Sequence, residues 1–237
     1  MLTQRQQTIL NILVHEYIKV AEPVSSQLLA EQYDFGIHRA MIRREMRELA
    51  SQGYLSQPHT SAGKVPTDKG YRFVVDAIMR EKTNQSYAAE MWEAIQQEYR
   101  ATKTLKTLHF LTRSVAEASS AFALGYLKSE QMAWREGWEE ILREPELKDP
   151  DCVNRFIKIL DKIEDGLAEM KTPATIQVYI GEENPFVKAD DFSTLIVGFR
   201  PAGEQKGVLA IIGPKRMPYE RNIKLMASLS CFINSLQ

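Results

Sequence analysis

Cysteine is nearly absent: the 237 residues hold two, Cys152 and Cys231, with no second cysteine or histidine at ligand spacing beside either. That excludes a disulfide framework and a zinc knuckle and leaves both as small core residues. Long apolar runs are missing as well. The uncharged stretch Leu225 to Gln237 is broken by Ser, Asn and Cys, short of the ~20 apolar residues of a bilayer-spanning helix. The opening M-L-T-Q-R-Q-Q has no basic segment leading into an apolar one, so no secretory signal is read and a cytoplasmic, nucleoid-associated protein is expected. Histidine is scarce. His15 and His109 sit in helical stretches, His38 and His59 in the amino-terminal module, and Glu182-Glu183 beside Asn184-Pro185 reads as a turn. With no phosphate-binding glycine loop and no metal-ligand spacing, neither catalysis nor a metal or cofactor is expected.

What is present is the composition of an ordinary globular protein: 44% apolar, 26% charged and 9% aromatic residues, in a length that suits one large or two modest domains. A net charge of -1 hides an asymmetry. Between Phe35 and Val75, Arg39, Arg43, Arg44, Arg47, Lys64, Lys69 and Arg72 face only Glu45, Glu48 and Asp68, a balance of +4. Beyond Lys82, 19 Lys and Arg stand against 22 Asp and Glu, a balance of -3. A basic amino-terminal module joined to a mildly acidic remainder fits a DNA-binding domain with a regulatory or assembly domain.

The periodicity of the first eighty residues supports that division. Ile9, Leu10, Leu13, Val14 and Tyr17 share one helical face, with Thr3 as cap. A short second helix restarts after Pro23 with Ser25 as cap and Leu28, Leu29 and Tyr33 inward. A third runs to Gly53 and buries Ile42, Met46, Leu49 and Ala50. Its opposite arc carries Ala40, Met41, Arg44, Arg47 and Glu48, with Arg43 at the flank and Arg39 in the first turn. That is the plan of a helix-turn-helix whose last helix enters the major groove. The bland alternative is an exposed pair such as Arg44 with Glu48. Two short extended pieces then flank Thr60-Ser61-Ala62-Gly63 and read as a hairpin wing, where His59, Thr60, Ser61, Gly63 and Lys64 suit close approach to a phosphate backbone.

The run Pro58 to Arg72, P-H-T-S-A-G-K-V-P-T-D-K-G-Y-R, resembles the wing and following helix of the heat-inducible transcription repressors called HrcA, and so does E-P-V-S-S at Glu22 to Ser26. I-G-E-E-N-P at Ile180 to Pro185 and I-G-P-K-R-M-P-Y at Ile212 to Tyr219 resemble that family's carboxy-terminal motifs. Four blocks in order, covering about the first eighty and last hundred residues, are far more specific than one helix pattern. The recognition helix departs from the family: His38, Arg39, Ala40 and Met41 stand where two small hydroxyl residues followed by Ala-Thr are usual, so base readout is expected to differ in detail from that at the family's usual operator. The resemblance implies a GAF-like carboxy-terminal domain, here a reduced one. The resemblance also implies that the domain's early strands and an inserted dimerisation subdomain are absent before G-W-E-E-I-L-R-E-P-E-L-K-D at Gly137 to Asp149.

The rest of the chain is read as helical, then mixed. From Thr83 to Ser120, one or two helices carry a stripe of Met91, Trp92, Ile95 and Leu105 that suits packing between two copies of the chain, unless it packs within one. Ala121 to Leu127 reads as a strand, Trp134 to Leu142 as a helix ending near Pro145, and Val153 to Leu167 as a helix capped by Asp149 or Asp151. Strands with period two follow at Thr175 to Ile180, Ser193 to Phe199 and Gly207 to Ile212, the last two joined by a turn over Pro201 to Gln205. A closing helix spans Arg221 to Leu236. The expected fold is α+β in three parts: a winged helix-turn-helix over 1–82, a helical linker and dimerisation region over 83–120, and a reduced GAF-like domain over 121–237. The resemblance implies a dimeric repressor of chaperone genes on an inverted-repeat operator in double-stranded DNA, with the GroEL chaperonin as a partner and no membrane. A metabolite-sensing winged-helix regulator is the competing reading. An RNA-binding one is disfavoured because A-form RNA closes the groove that such a helix would enter.

Overall fold

The computed structural model describes residues 2–59, 62–81, 93, 95–97, 105–199 and 206–235. The chain divides into two compact units, Met1–Arg80 and Glu81–Gln237. Among the described residues no helix is long and apolar enough to cross a membrane.

The first unit comprises α1 (Gln4–Val20), α2 (Ser26–Gln32), α3 (Arg39–Ser51), a hairpin of β1 (Leu55–Ser56) and β2 (Val65–Pro66), and α4 (Asp68–Arg80). Local chemistry fixes the ends. Thr3 Oγ1 accepts from Gln6 N at 3.3 Å while Gln6 Oε1 accepts from Thr3 N at 3.0 Å, a reciprocal capping box. Ser25 caps α2 through Leu28 N. α3 stops in a Schellman motif: Gly53, at φ 79°, donates to Ala50 O, and Tyr54 N reaches back to Leu49 O. Pairing of Leu55 with Pro66 builds the hairpin, and a bridge between Val24 and Lys64 adds a third extended segment. Ile9, Leu10, Leu13, Val14, Leu29, Ile42 and Leu49 are fully enclosed.

One carboxylate is enclosed with them. Glu16, 2% exposed, accepts from the Tyr33 hydroxyl at 2.6 Å and lies 3.7 Å from Lys19 Nζ. Sequence periodicity had assigned that inward position to Tyr17, which is only half-buried. The hydrogen bond to Glu16 pushes the Tyr33 phenol above its ordinary range, with burial and the carboxylate's charge adding to it. Tyr33→Phe leaves the carboxylate short of its donor and should lower stability by about 1–3 kcal/mol near neutral pH, read by denaturant titration. A raised folded-state pKa means that the bond's contribution is complete below about pH 10 and fades as pH climbs through the folded value. The deficit of the variant should shrink correspondingly in alkali.

The second unit comprises α5 (Leu105–Ser119), β3 (Phe122–Leu127), β4 (Met132–Glu136), α6 (Trp138–Ile141), a 3-10 turn (Pro145–Lys148), α7 (Pro150–Glu169), β5 (Gln177–Ile180), a second 3-10 turn (Gly181–Glu183), β6 (Phe192–Phe199), β7 (Gly207–Pro214) and α8 (Tyr219–Ser235). The strands form one antiparallel sheet in the order β4-β3-β7-β6-β5. One face, with Phe122, Leu124, Phe192, Ile196, Val208, Ala210 and Ile212, packs on Phe156, Ile159, Leu160, Ile163 and Leu167 of α7. On the sheet's other side, α5 lies against β3 and β4, and α8 against β6. Cys152 is buried in the α7 core as expected.

Three differences from the sequence reading have physical causes. The strand β4 replaces the expected start of a helix at Trp134, which pairs instead with Gly125; an edge strand with exposed Met132 and Arg135 lacks a continuous apolar signature. The strands β6 and β7 show almost unbroken burial rather than the expected period of two, because helices cover both sheet faces. And α5, expected within a bridging segment, contributes Leu108, Leu111 and Val115 to the buried interior of the second unit. Asp149 is the residue that caps α7, accepting from Asp151 N at 3.0 Å. The expected turn at Pro201 to Gln205 lies outside the described residues.

Two of the motifs at the carboxy end fold as fixtures of this unit. Arg216 grips Glu146 with Nε at 2.7 Å and Nη2 at 3.0 Å and also pairs with Glu144, which ties G-P-K-R-M-P to the Gly137 to Asp149 block. In I-G-E-E-N-P, Glu183 folds back onto Ile180 N and buried Asn184 donates to Thr194 Oγ1 at 3.1 Å. The acidic pair is a turn.

Candidate nucleic-acid interface

The arginines of α3 occupy one side of a short helix, and the geometry explains why they are available. Burial of Ile42, Met46 and Leu49 against the first two helices leaves Arg39, Arg43, Arg44 and Arg47 exposed. The acids of the same helix are engaged elsewhere. Glu45 accepts from Gln6 Nε2 at 3.1 Å and lies 3.6 Å from Arg5, while Glu48 accepts from Gln52 Nε2 at 3.1 Å. Among the described residues none of the four arginines has a carboxylate partner, so the alternative of an exposed Arg44 to Glu48 pair does not form.

Arg39, Arg43 and Arg47, spaced four apart, line an open concavity of about 370 Å3 together with Met46, Ser25, Ser26, Gln57, Ala62, Gly63 and Lys64. A second hollow on the outer side is lined by the same three arginines and Ala40. Arg44 and Met41 lie outside both hollows, and Met41 is 36% exposed. Lys64 Nζ donates to Gln57 Oε1 at 3.0 Å and Gln57 Nε2 donates to Ala62 O, so the hairpin presents its cation from a braced position. His59 is exposed on the hairpin; Thr60 and Ser61 lie outside the described residues.

Gly63 has a packing role that sequence reasoning did not foresee. A Cβ there would stand 2.5 Å from the carbonyl carbon and oxygen of Val24 and 2.6 Å from Pro23 O, so only glycine lets the hairpin seat on the Pro23-Val24 segment. Gly63→Ala should therefore displace the hairpin and cost about 1–3 kcal/mol in the first unit, measured as a drop in melting temperature. An unchanged melting temperature would contradict the close seating.

The P-T-D-K-G-Y run was likewise read only as a helix start, and it does more. Thr67 Oγ1 donates to Gly53 O at 2.6 Å and caps α4 through Gly70 N. Lys69 donates to Gln52 O at 2.8 Å and stands 4.4 Å from the centroid of the Tyr54 ring. It thereby closes the carboxyl end of α3 rather than facing a ligand. Ser25, Ser26 and Gln57 are the site residues missed in the sequence; the E-P-V-S-S block was the available signal for the first two.

The residues expected to pair two copies fare differently. Ile95 is 1% exposed within the single chain, Met91 and Trp92 lie outside the described residues, and Leu105 opens α5. Among the described residues no group of three or more His, Cys, Asp or Glu could hold a metal ion.

Comparison with known proteins bears on the whole chain. Residues 73–223 match the model of the family described as HrcA protein C terminal domain. A heat-inducible transcription repressor HrcA of Natranaerobius thermophilus is 25% identical over 97% of this chain and 95% of its own. That alignment runs over 338 positions, leaving on the order of a hundred without a counterpart in these 237 residues. The repressor of the same name from Pelotomaculum thermopropionicum is 45% identical over 100 residues, 42% of this chain and 28% of its own. A crystal structure described as a hypothetical protein at 2.2 Å resolution superposes on all of this chain and 98% of its own with a TM-score of 0.77 and 20% identity, which establishes a common fold.

Proposed function

The chain belongs to the HrcA family, and on that premise we propose that it is a heat-inducible transcription repressor whose first unit is a winged helix-turn-helix that binds double-stranded DNA. The observation that carries the reading is the concavity where Arg39, Arg43, Arg47 and Lys64 converge with no carboxylate partner among the described residues. Such a set suits a polyanion, because charge-assisted hydrogen bonds to phosphate are the main source of affinity in protein–DNA contacts. The α3 helix would lie in a major groove with the hairpin as wing across the adjacent backbone.

The second unit supports this role as a reduced GAF-like scaffold. A two-fold operator calls for a two-fold protein, so the repressor acts as a homodimer. Ile95 is too enclosed to serve in its interface, which leaves Met91, Trp92 and Leu105 of the proposed stripe. In the cell it would sit on inverted repeats near chaperone promoters in the nucleoid, with the GroEL chaperonin supporting its active state and with no chemistry or cofactor of its own. Nuclease footprinting on the chaperone promoters of its own genome tests the reading: protection of an inverted repeat is expected. Absence of protection at every such promoter would overturn it. Light scattering of the free protein tests the homodimer, which a monomer at micromolar concentration would refute.

A further inference from the structure

We propose that the two exposed sides of α3 divide the work of recognition: Arg39, Arg43 and Arg47 hold one sugar-phosphate strand, while Ala40, Met41 and Arg44 read base edges. This rests on the DNA-binding reading above and assigns its parts.

The division follows from the shape of the site. A helix with its side chains is about 10–12 Å across and the major groove of B-DNA about 12 Å wide, so a seated helix meets the groove walls with its flanks and the base edges with its outermost face. At 100° per residue, the buried arc of Ile42, Met46 and Leu49 lies opposite Ala40, Arg44 and Ser51, with Glu48 and then Met41 following toward the far flank. Arg39 and Arg43 occupy the flank between the two arcs, and Arg47 stands at the edge where that flank meets the outer arc. That flank is the one turned toward the hairpin, because these three side chains share one concavity with Ala62, Gly63 and Lys64. A groove wall is a phosphate backbone, and a hairpin lying over the same wall brings Lys64 to the same strand. Three arginines and a lysine around one hollow therefore match a run of phosphates on one strand.

The outer face has the opposite chemistry. Ala40 and Met41 are exposed apolar side chains, and Met41 is among the largest apolar groups left open to solvent in the first unit. Apolar contact from such side chains distinguishes thymine by its C5-methyl group. Arg44, outside the concavity and without a carboxylate partner among the described residues, is placed to take guanine O6 and N7 with its guanidinium fork. The acid on this face, Glu48, is turned back to Gln52.

The test selects duplexes from a random-core DNA library with the full chain and with the exposed-surface variants Arg43→Ala, Arg44→Ala and Met41→Ala, each first checked for an unchanged melting temperature. Arg43→Ala should enrich the same sequences as the parent. It should bind the selected duplex and an unrelated one more weakly by the same factor, with a salt slope flatter by about one unit. Arg44→Ala should lose its preference at one position, discrimination there falling about tenfold or more. Replacing thymine by deoxyuridine in the selected site should weaken the parent several-fold and leave Met41→Ala indifferent. An altered sequence preference in Arg43→Ala, or an unaltered one in Arg44→Ala together with full sensitivity of Met41→Ala to deoxyuridine, would overturn the division. A parent that binds no duplex at all would instead overturn the DNA-binding reading on which it rests.

Discussion

Replacing Arg39, Arg43 and Arg47 together by alanine should abolish operator binding at physiological salt while leaving the fold intact. Each of these guanidinium groups faces the concavity without a carboxylate partner among the described residues. A hydrogen bond to a charged group is worth about 1.5–3 kcal/mol, so at the low end three lost contacts amount to about a thousandfold in affinity. Neutralising three phosphate contacts should also flatten the dependence of log K on log salt by about three units. Stability should barely change, because all three are exposed and the buried face of α3 is untouched. Titration of a labelled promoter duplex at several salt concentrations reads both quantities. A triple variant that binds within tenfold of the parent would show that the concavity is not where the phosphates lie.

Phe156→Ala should cost the second unit about 3–5 kcal/mol, the loss typical of a large ring removed from a close-packed core. Phe156 is 1% exposed and stands at the centre of an aromatic cluster. Its ring centroid lies 5.6 Å from that of Phe122, 5.0 Å from Phe192 and 6.3 Å from Trp138, so the cavity would open between α7 and the strands β3 and β6. Edge-to-face contacts with Phe122 and Trp138 would be lost with it. Denaturant unfolding followed by tryptophan fluorescence reads the change through Trp138, and a loss below about 1 kcal/mol would mean that the cluster relaxes to fill the space.

The parts of this molecule that were legible in the sequence are those governed by local rules. Caps at Thr3 and Ser25, the inward face of α3 and the end of that helix at Gly53 all follow from side chains within a turn or two of one another. The hairpin showed itself by its small central residues. What sequence could not show is long-range. Nothing near Gly63 reveals that Val24 will press against its α-carbon, forty residues away in the chain, and nothing near Lys69 reveals that its partner is the end of another helix. The same holds for the site: the arginines were identifiable one by one, but which of them share a hollow with Lys64 depends on how the hairpin folds over the flank of α3. Periodicity puts Arg44 and Arg47 together on the arc opposite the core, whereas the concavity gathers Arg47 with Arg39 and Arg43 and leaves Arg44 out. The strand β4 was missed because an edge position demands little of its outward residues.

The place of β3 in the sheet has a consequence for how the protein is made. Its neighbours are β4, which follows within a few residues, and β7, which begins at Gly207, some eighty residues after β3 ends at Leu127. A ribosome adding roughly 5–20 residues per second needs several seconds to supply that partner. Until then one edge of an almost wholly apolar strand has its hydrogen-bonding groups unmatched, and Phe122 and Leu124 lack the Val208, Ala210 and Ile212 side chains that complete their core. The first unit, whose strands pair within a dozen residues and whose helices are consecutive, is complete long before. Each new chain thus passes through a stage at which a finished, positively charged head precedes a sticky, unfinished body, and translation speed sets the shortest time that this stage can last.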